Sequence, residues 1–420
     1  MDFKGIIKEQ REELASIERQ EKIIPREKQE EARKVLTHPN ILAVLGIRRC
    51  GKSVFSYLLA KESRLGYINF DDERLVGLGS EDLDKILISF YELYGELDYL
   101  ILDEIQNIRN WELFVNRLRR TKRVIITGSN STLLSGELAR HLTGRYIDVE
   151  LFPFSFKEFL LKKTFKEAPA YTAQEKGEIF NYLNEYLQLG GFPEVYKFGR
   201  VILSRIYENI ITKDILLRHR ITKIDELKKL ANYLLTNFSQ EATYSKLANI
   251  LGIKRVSTIS NWISYLENSF LIFRVERFDF KLKKQFIAPK KFYGIDPGLI
   301  NFISFQFSDN LGRLMENVVA IELQRRKSAE LLSAIYYWKD HQQREVDFVI
   351  KKEKKILELI QVTYASRKQD LKARELPSLM KASQELRCQN LTVITWDYEA
   401  RENQLRFIPL WKWLLNRENS

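Results

Sequence analysis

The spacing of apolar and polar residues changes several times along this chain, and each change predicts an element. Residues 41–45 (Ile-Leu-Ala-Val-Leu) are continuously apolar over a short run, which predicts a strand covered on both faces. From Val54 to Ala60 the apolar residues recur at helical spacing, so a helix follows. Residues 67–70 read as the next strand, ending in Asp71-Asp72-Glu73, and residues 82–94 as the helix after it. Residues 99–104 form a third apolar strand that closes on two acids, Asp103 and Glu104. A fourth strand over 124–127 runs into Gly128-Ser129-Asn130-Ser131, followed by a helix over 131–142 that Gly144 stops. A fifth strand is expected over 146–151. Strands alternating with helices predict a parallel α/β sheet.

Further along, the period becomes helical over 176–187 and 200–235. Residues 244–253 and 257–266 then read as a helix-turn-helix, with Ala248 at the crossing, Gly252 at the turn, and Ile259, Trp262, Ile263 and Leu266 turned inward. Wing-like strands are expected over 271–275 and 278–280, which together predict a winged helix. A basic tract of Lys281, Lys283, Lys284, Lys290 and Lys291, broken by Pro289, reads either as a solvated linker or as a phosphate track. Beyond it come a helix over 311–326, strands over 334–338, 345–350 and 355–362, and another strand over 391–395.

Composition narrows the class. At 420 residues the chain is too long for one ordinary core, so several domains are expected. The boundaries read as 1–163 for the first α/β domain, 164–235 for a helical lid, 236–290 for the winged helix and 291–420 for the last domain. A net charge of +12 favours an anionic partner, with nucleic acid the commonest. Two distant cysteines, Cys50 and Cys388, exclude a disulfide framework or a zinc ribbon, and the four histidines have no ligand spacing. No apolar run has membrane-span length and the start of the chain is dense in charge, so a cytoplasmic protein without a membrane partner is expected.

The loop between the first strand and its helix carries the sharpest chemistry. Gly46-Ile47-Arg48-Arg49-Cys50-Gly51-Lys52-Ser53 fits G-x-x-x-x-G-K-[ST], and Val54 continues into the helix. Glycines let successive backbone N–H groups face phosphate oxygens, and the helix adds its positive end. Lys52 would reach the β- and γ-phosphates of ATP and Ser53 would ligate Mg²⁺. Asp103 would hold the same ion and Glu104 would polarise the attacking water. Ser129, with Asn130 behind it, would touch the γ-phosphate or that water, or else cap the helix that follows. Arg145 would stabilise charge on the transferred phosphate, in its own or a neighbouring subunit, or else make a surface ion pair. Action in trans would require a homo-oligomer. Arg48 and Arg49 extend the positive field, and a free Cys50 thiol beside it predicts sensitivity to oxidation.

The set GIRRCGKS, YLILDEIQ, ITGSNS, LTGRY and LFPFSFKEF resembles archaeal and bacterial AAA+ ATPases whose P-loop domain is followed by a winged helix and a C-terminal domain. The resemblance spans nearly the whole chain. It implies a parallel sheet ordered 5-1-4-3-2 and the same roles for Lys52, Ser53, Asp103, Glu104 and Arg145. Gly190-Gly191-Phe192-Pro193 is similar to the Gly-x-Pro element of switch-type ATPases, which implies that Pro193 packs near adenine; on physics alone it is a loop breaker between helices. Lys213, Arg218 and Arg220 are candidates for a second sensor in the lid. Outward residues of the helix-turn-helix, namely Lys254, Arg255, Ser257, Thr258, Ser260 and Asn261, suit double-stranded DNA.

The last domain looks like the restriction-endonuclease fold, with Glu316, Asp347 and Gln361 at the positions of its metal-binding acids. Thr363 stands where that chemistry needs a lysine, and Lys368 is the nearest replacement along the chain. An inactive relic of the fold is therefore expected. Three functions remain: an ATPase coupling hydrolysis to conformational change on DNA, a nucleotide switch directed at a protein partner, and an ATP-dependent nuclease.

Overall fold

The structure, a computed structural model, describes residues 1–134, 142, 144–168, 170–304, 311–329, 333–371 and 375–415. It divides into two compact units, Met1–Pro153 with Asn268–Phe270, and Phe154–Glu267 with Leu271–Ser420.

In the first unit β1 (Ile41–Leu45), β2 (Leu65–Asn69), β3 (Tyr99–Asp103), β4 (Arg123–Gly128) and β5 (Tyr146–Glu150) form one sheet in the order β2-β3-β4-β1-β5. This is the expected 5-1-4-3-2 order, and every pairing is parallel. All five residues of β1 are buried, as a central strand covered on both faces requires. Helices Phe3–Gln20, Leu83–Tyr94 and Trp111–Leu118 supply Ile7, Phe90, Trp111 and Val115 to its core. Each such side chain contributes about 1.5–3 kcal/mol on burial. The helix expected over 131–142 is described only as a tight turn at Ser131–Leu134; residues 135–141 and 143 lie outside the described residues.

The first unit ends ten residues before the expected boundary at 163. Helix Phe156–Lys162 belongs to the second unit, where the Phe156 and Phe159 rings pack at a tilt against Tyr186, and Phe159 also against Tyr196. Helix Ala173–Leu189 follows, then Val201–Asn209, a wider π turn over Ile210–Leu217, and Ile224–Thr236. The helical period expected over 200–235 is thus delivered as successive segments with a break before Ile224. Arg220 takes φ 50° at the break, a left-handed conformation that ends a helix.

Helices Tyr244–Ile250 and Val256–Asn268 flank Gly252, whose φ of 67° suits the turn between them. After them the strand pattern departs from expectation. Strand β6 is Glu241–Ala242 and β7 is Ile272–Arg277, but residues 278–280 form no strand. The antiparallel partner of β7 is β8, Lys290–Gly294, beyond a short helix Leu282–Ile287.

The remaining strands are β9 (Ser333–Lys339), β10 (Glu345–Lys352), β11 (Lys355–Val362), β12 (Leu391–Thr395), β13 (Ala400–Glu402) and β14 (Leu405–Pro409). They join the earlier three in a nine-stranded sheet, β13-β14-β12-β11-β10-β9-β7-β8-β6. A boundary at 290/291 therefore does not exist in the fold, since it would cut β8 in two. Parallel pairing of β7 with β9 welds the strands on either side into one sheet. Among the described residues no helix is long and apolar enough to cross a membrane.

Candidate functional site

The loop after β1 turns on two glycines that tolerate no side chain. Gly51 has φ 100°, where an L side chain is strained, and a Cβ on Gly46 would lie 2.1 Å from the Leu151 carbonyl oxygen. Arg26 braces the loop from below, donating to the carbonyl oxygens of Cys50 at 2.9 Å and of Phe152. Ile47 is buried and Arg49 exposed, while Arg48 pairs with Asp71 at 2.8 Å. Gly51 caps the helix Lys52–Ala60, which brings Ser53 and Val54 into its first turn.

Lys52 is buried, and its Nζ donates to the carbonyl oxygens of Gly46 at 3.1 Å and Ile47 at 3.2 Å. It also lies 3.4 Å from Glu104 Oε1. Burial works to lower the Lys52 pKa, but Glu104, Cys50 and Asp103 together outweigh it and hold the ammonium above its usual range. The converse holds at Glu104. Burial pushes its pKa up, and Lys52, then Arg48, together with hydrogen bonds from Gln106 and Ser129, more than reverse the effect, so the carboxylate stays ionised.

Parallel register sets the rest of the site. With Leu102 opposite Ile126, Asp103 at the end of β3 falls beside Thr127, one residue before the end of β4. The Thr127 hydroxyl donates to Asp103 and accepts from the Glu104 N–H at 3.0 Å, so one residue fixes both acids. Tyr67 OH donates to Asp103 Oδ2 at 2.7 Å, and the Ser53 hydroxyl bonds the same carboxyl. Burial and then Glu104 push Asp103 upward, opposed by these donors. Glu104 itself takes φ 52° and ψ 41°, a strained conformation for a non-glycine residue that aims its carboxylate at Lys52. Its other oxygen accepts from the Ser129 N–H at 3.2 Å and from Gln106.

Of the expected residues, Lys52, Ser53, Asp103, Glu104 and Ser129 are brought together, and Asn130 is buried beside Ser129. It is the backbone N–H of Ser129 that holds Glu104. Thr127, Tyr67, Gln106 and Arg26 were missed. A hydroxyl inside the apolar run Val124-Ile125-Ile126-Thr127 was the one available signal.

Arg145 stands apart. Its carbonyl accepts from the Ile41 N–H at 2.9 Å, which puts it at the start of β5, and its guanidinium bonds Asn116 at 3.1 Å. The glycine loop leaves the other end of the sheet, about 16 Å away along five residues of strand. Arg145 therefore cannot serve the loop of its own chain from this position. The expectation for Cys50 is also corrected. Its thiol is fully buried, donates to the Leu151 carbonyl oxygen at 3.2 Å and is raised in pKa by burial, the opposite of a reactive thiolate.

Pro193, Lys213, Arg218 and Arg220 all lie in the second unit. Gly190 and Gly191 are required there by packing: a Cβ would lie 2.0 Å from Asp296 Oδ1 on the first and 2.2 Å from the Phe154 carbonyl oxygen on the second. The Gly191 N–H donates to Asp296 at 2.6 Å. Lys254, Arg255, Ser257 and Asn261 are exposed at the start of the second helix of the helix-turn-helix, with Thr258 and Ser260 half-buried.

Glu316, on helix Leu311–Ala329, converges through Lys291 with Asp347 and Gln361 of the nine-stranded sheet. Gln361 Nε2 donates to Asp347 Oδ2 at 2.6 Å, because β10 and β11 set these residues opposite each other. Between Glu316 and Asp347 lies Lys291, 3.0 Å from the first and 3.4 Å from the second. The basic tract is thus neither a linker nor a continuous phosphate track, since Lys290 and Lys291 are buried. Lys368 is exposed and bonds Glu402 at 2.7 Å, so it does not replace the lysine missing at Thr363. Among the described residues, no group of three histidine, cysteine or carboxylate side chains is arranged to hold a metal ion.

Residues 38–160 match the family described as an AAA domain. Residues 181–310 and 311–413 match two domains of unknown function, DUF8612 and DUF4143. The uncharacterized protein MJ1544 of Methanocaldococcus jannaschii is 37% identical over 403 residues, covering 90% of this chain and 89% of that protein. An uncharacterized protein of Haemophilus influenzae is 32% identical over 344 residues, covering 77% of this chain and 82% of its own. Among solved structures, the Walker-type ATPase PABY2304 of Pyrococcus abyssi is 16% identical and covers 67% of this chain and 96% of that one, at a TM-score of 0.46.

Proposed function

Because the chain belongs to the AAA-domain P-loop ATPase family, we propose that it binds and hydrolyses ATP at the Gly46–Ser53 loop and couples the cycle to conformational change on duplex DNA. The observation that carries this reading is the ion pair of Lys52 with Glu104 beside the Ser53–Asp103 contact. Lys52 is charged and held by groups that a phosphate can replace: two carbonyls of its own loop and one carboxylate. On binding, its Nζ turns to the β- and γ-phosphate oxygens, and Glu104 is released to orient water against the γ-phosphorus. Thr127 keeps Asp103 and Glu104 in register while this happens.

Ser53 Oγ and Asp103 are the oxygen ligands that a Mg²⁺ ion prefers, and such an ion would offset charge on the β- and γ-phosphates. Arg145 is exposed at the far end of the sheet, which favours action on the nucleotide of a neighbouring copy. On that basis Arg145→Ala lowers turnover only at concentrations where the chain self-associates.

The DNA half of the proposal rests on the net charge of +12 and the exposed Lys254, Arg255, Ser257 and Asn261. Phosphate release measured with and without duplex DNA, across a salt series, is the test. Stimulation that fades steeply with salt is expected. If the rate is indifferent to DNA and no salt-sensitive binding occurs, the DNA assignment fails and a protein-directed switch replaces it. That alternative would then show partner capture by the ATP-loaded Glu104→Gln chain and none by Lys52→Ala.

A further inference from the structure

We infer that Glu316, Asp347 and Gln361 form a cation site whose resident cation is the Lys291 ammonium, and that a divalent ion of the Mg²⁺ or Mn²⁺ class can enter only when that lysine is removed. The geometry begins with the number of donors. A lysine ammonium has three N–H groups and no acceptor. Lys291 Nζ has three carboxylates within reach, Glu345 at 2.6 Å, Glu316 at 3.0 Å and Asp347 at 3.4 Å. Its donors are therefore all committed to side chains of the fold. None remains to position a water or a phosphate, which is what a nuclease lysine does.

Position makes the substitution specific. Lys291 comes from β8, whereas Glu345 and Asp347 sit on β10, and β9 and β7 lie between those strands in the sheet. Lys291 is 2% exposed, and Tyr293, two residues along the same strand, donates its hydroxyl to Glu316 at 2.8 Å. Glu345 is also held by Lys339 at 3.2 Å. A buried ammonium at this point neutralises acids that the fold could not otherwise bury together. An ion bound at about 2.0–2.1 Å by oxygens of Glu316 and Asp347 could not share the space with it.

A second observation shows that the site is still furnished for an ion. Gln361 Oε1 is buried with no hydrogen-bond partner, on a side chain whose Nε2 is fixed to Asp347, and the buried Thr363 hydroxyl, one residue past the end of β11, also lacks one. Carboxylate, amide and hydroxyl oxygens are the ligands of hard divalent cations. The donor set of a metal site thus persists around a lysine that has taken its centre.

Manganese binding to the full-length, nucleotide-free chain, read from the EPR signal of free Mn²⁺, tests the inference. The unsubstituted chain should show no Asp347-dependent binding up to about 1 mM Mn²⁺, a weak-site limit. Lys291→Ala should gain one bound ion, lost again in Lys291→Ala/Asp347→Asn. Asp347-dependent binding by the unsubstituted chain, or a folded Lys291→Ala chain that binds nothing, overturns the proposal. Should Lys291→Ala fail to fold, melting temperatures decide: Lys291→Met/Asp347→Asn should melt above Lys291→Met alone. Equal or lower melting of the double variant overturns the proposal as well. None of these readouts depends on ATP or DNA.

Discussion

Two buried lysines, Lys52 and Lys291, sit among carboxylates in this protein, and they are held in opposite ways. Lys52 stands in the first turn of a helix behind a glycine loop, with one carboxylate and two carbonyls of that loop as partners. Lys291 stands on a strand inside a nine-stranded sheet, with three carboxylates as partners. The first set can be exchanged for phosphate oxygens with only a side-chain rotation. Exchanging the second would leave buried acids uncompensated, so its charge acts as a fixed part of the core. A lysine among acids is therefore a working group or a structural one according to what else can satisfy its partners.

The largest expected effect breaks the first side of the comparison. Lys52→Ala should reduce ATP turnover about 10³-fold, measured as phosphate release, with little loss of melting temperature. Next, Lys291→Met should destabilise the chain by about 3–5 kcal/mol in denaturant unfolding while leaving turnover per folded molecule near normal. Comparable stability losses for both lysines would erase the distinction. Thr127→Val, which removes the hydroxyl joining Asp103 to Glu104, should lower turnover about tenfold, as a lost buried hydrogen bond predicts, and leave nucleotide affinity closer to normal.

A smaller effect concerns pH. Glu104 has a folded pKa below its ordinary value, so its contribution is present above about pH 4.3 and lost only as pH falls through the depressed value. Lys52 is raised, so its contribution holds below about pH 10.4 and fades as pH rises through the higher folded value. Turnover should accordingly show no limb from this pair between about pH 6 and 9; a titration of kcat in that window that Glu104→Gln abolishes would contradict it. The smallest effect belongs to Cys50. Under native conditions a thiol reagent should label it slowly and leave turnover intact, and rapid loss of activity that Cys50→Ser prevents would count against its burial.

Sequence made much of the first unit legible. Ile41–Leu45, the glycine loop and helix Lys52–Ala60 are contiguous, so hydrophobic period and glycine placement specify them without reference to the rest of the chain. Asp103-Glu104 was readable for the same reason, at the end of an apolar strand. Thr127 was not, because its importance arises from the register of β3 against β4. In the second unit the helix-turn-helix was recognisable from Gly252 and its apolar face, whereas β8 was hidden. Two adjacent lysines after a proline look like solvated chain, and only the carboxylates that meet Lys291 and the Phe286 and Ala288 carbonyls that accept from Lys290 allow them to be buried in a strand.

The sequence by itself determined the elements that local rules control: which segments become strand or helix, where the phosphate loop lies, and which acids end the third strand. Tertiary structure decided what those elements meet. It placed Arg145 at the opposite end of the sheet from Gly46, ran one sheet through the expected break at 290/291, and brought Lys291 to Glu316 and Asp347, 25 and 56 residues away. The physical reason is range. Periodicity and turn chemistry act over a few residues, while strand order and the neutralisation of buried charge depend on partners that only the folded chain brings together.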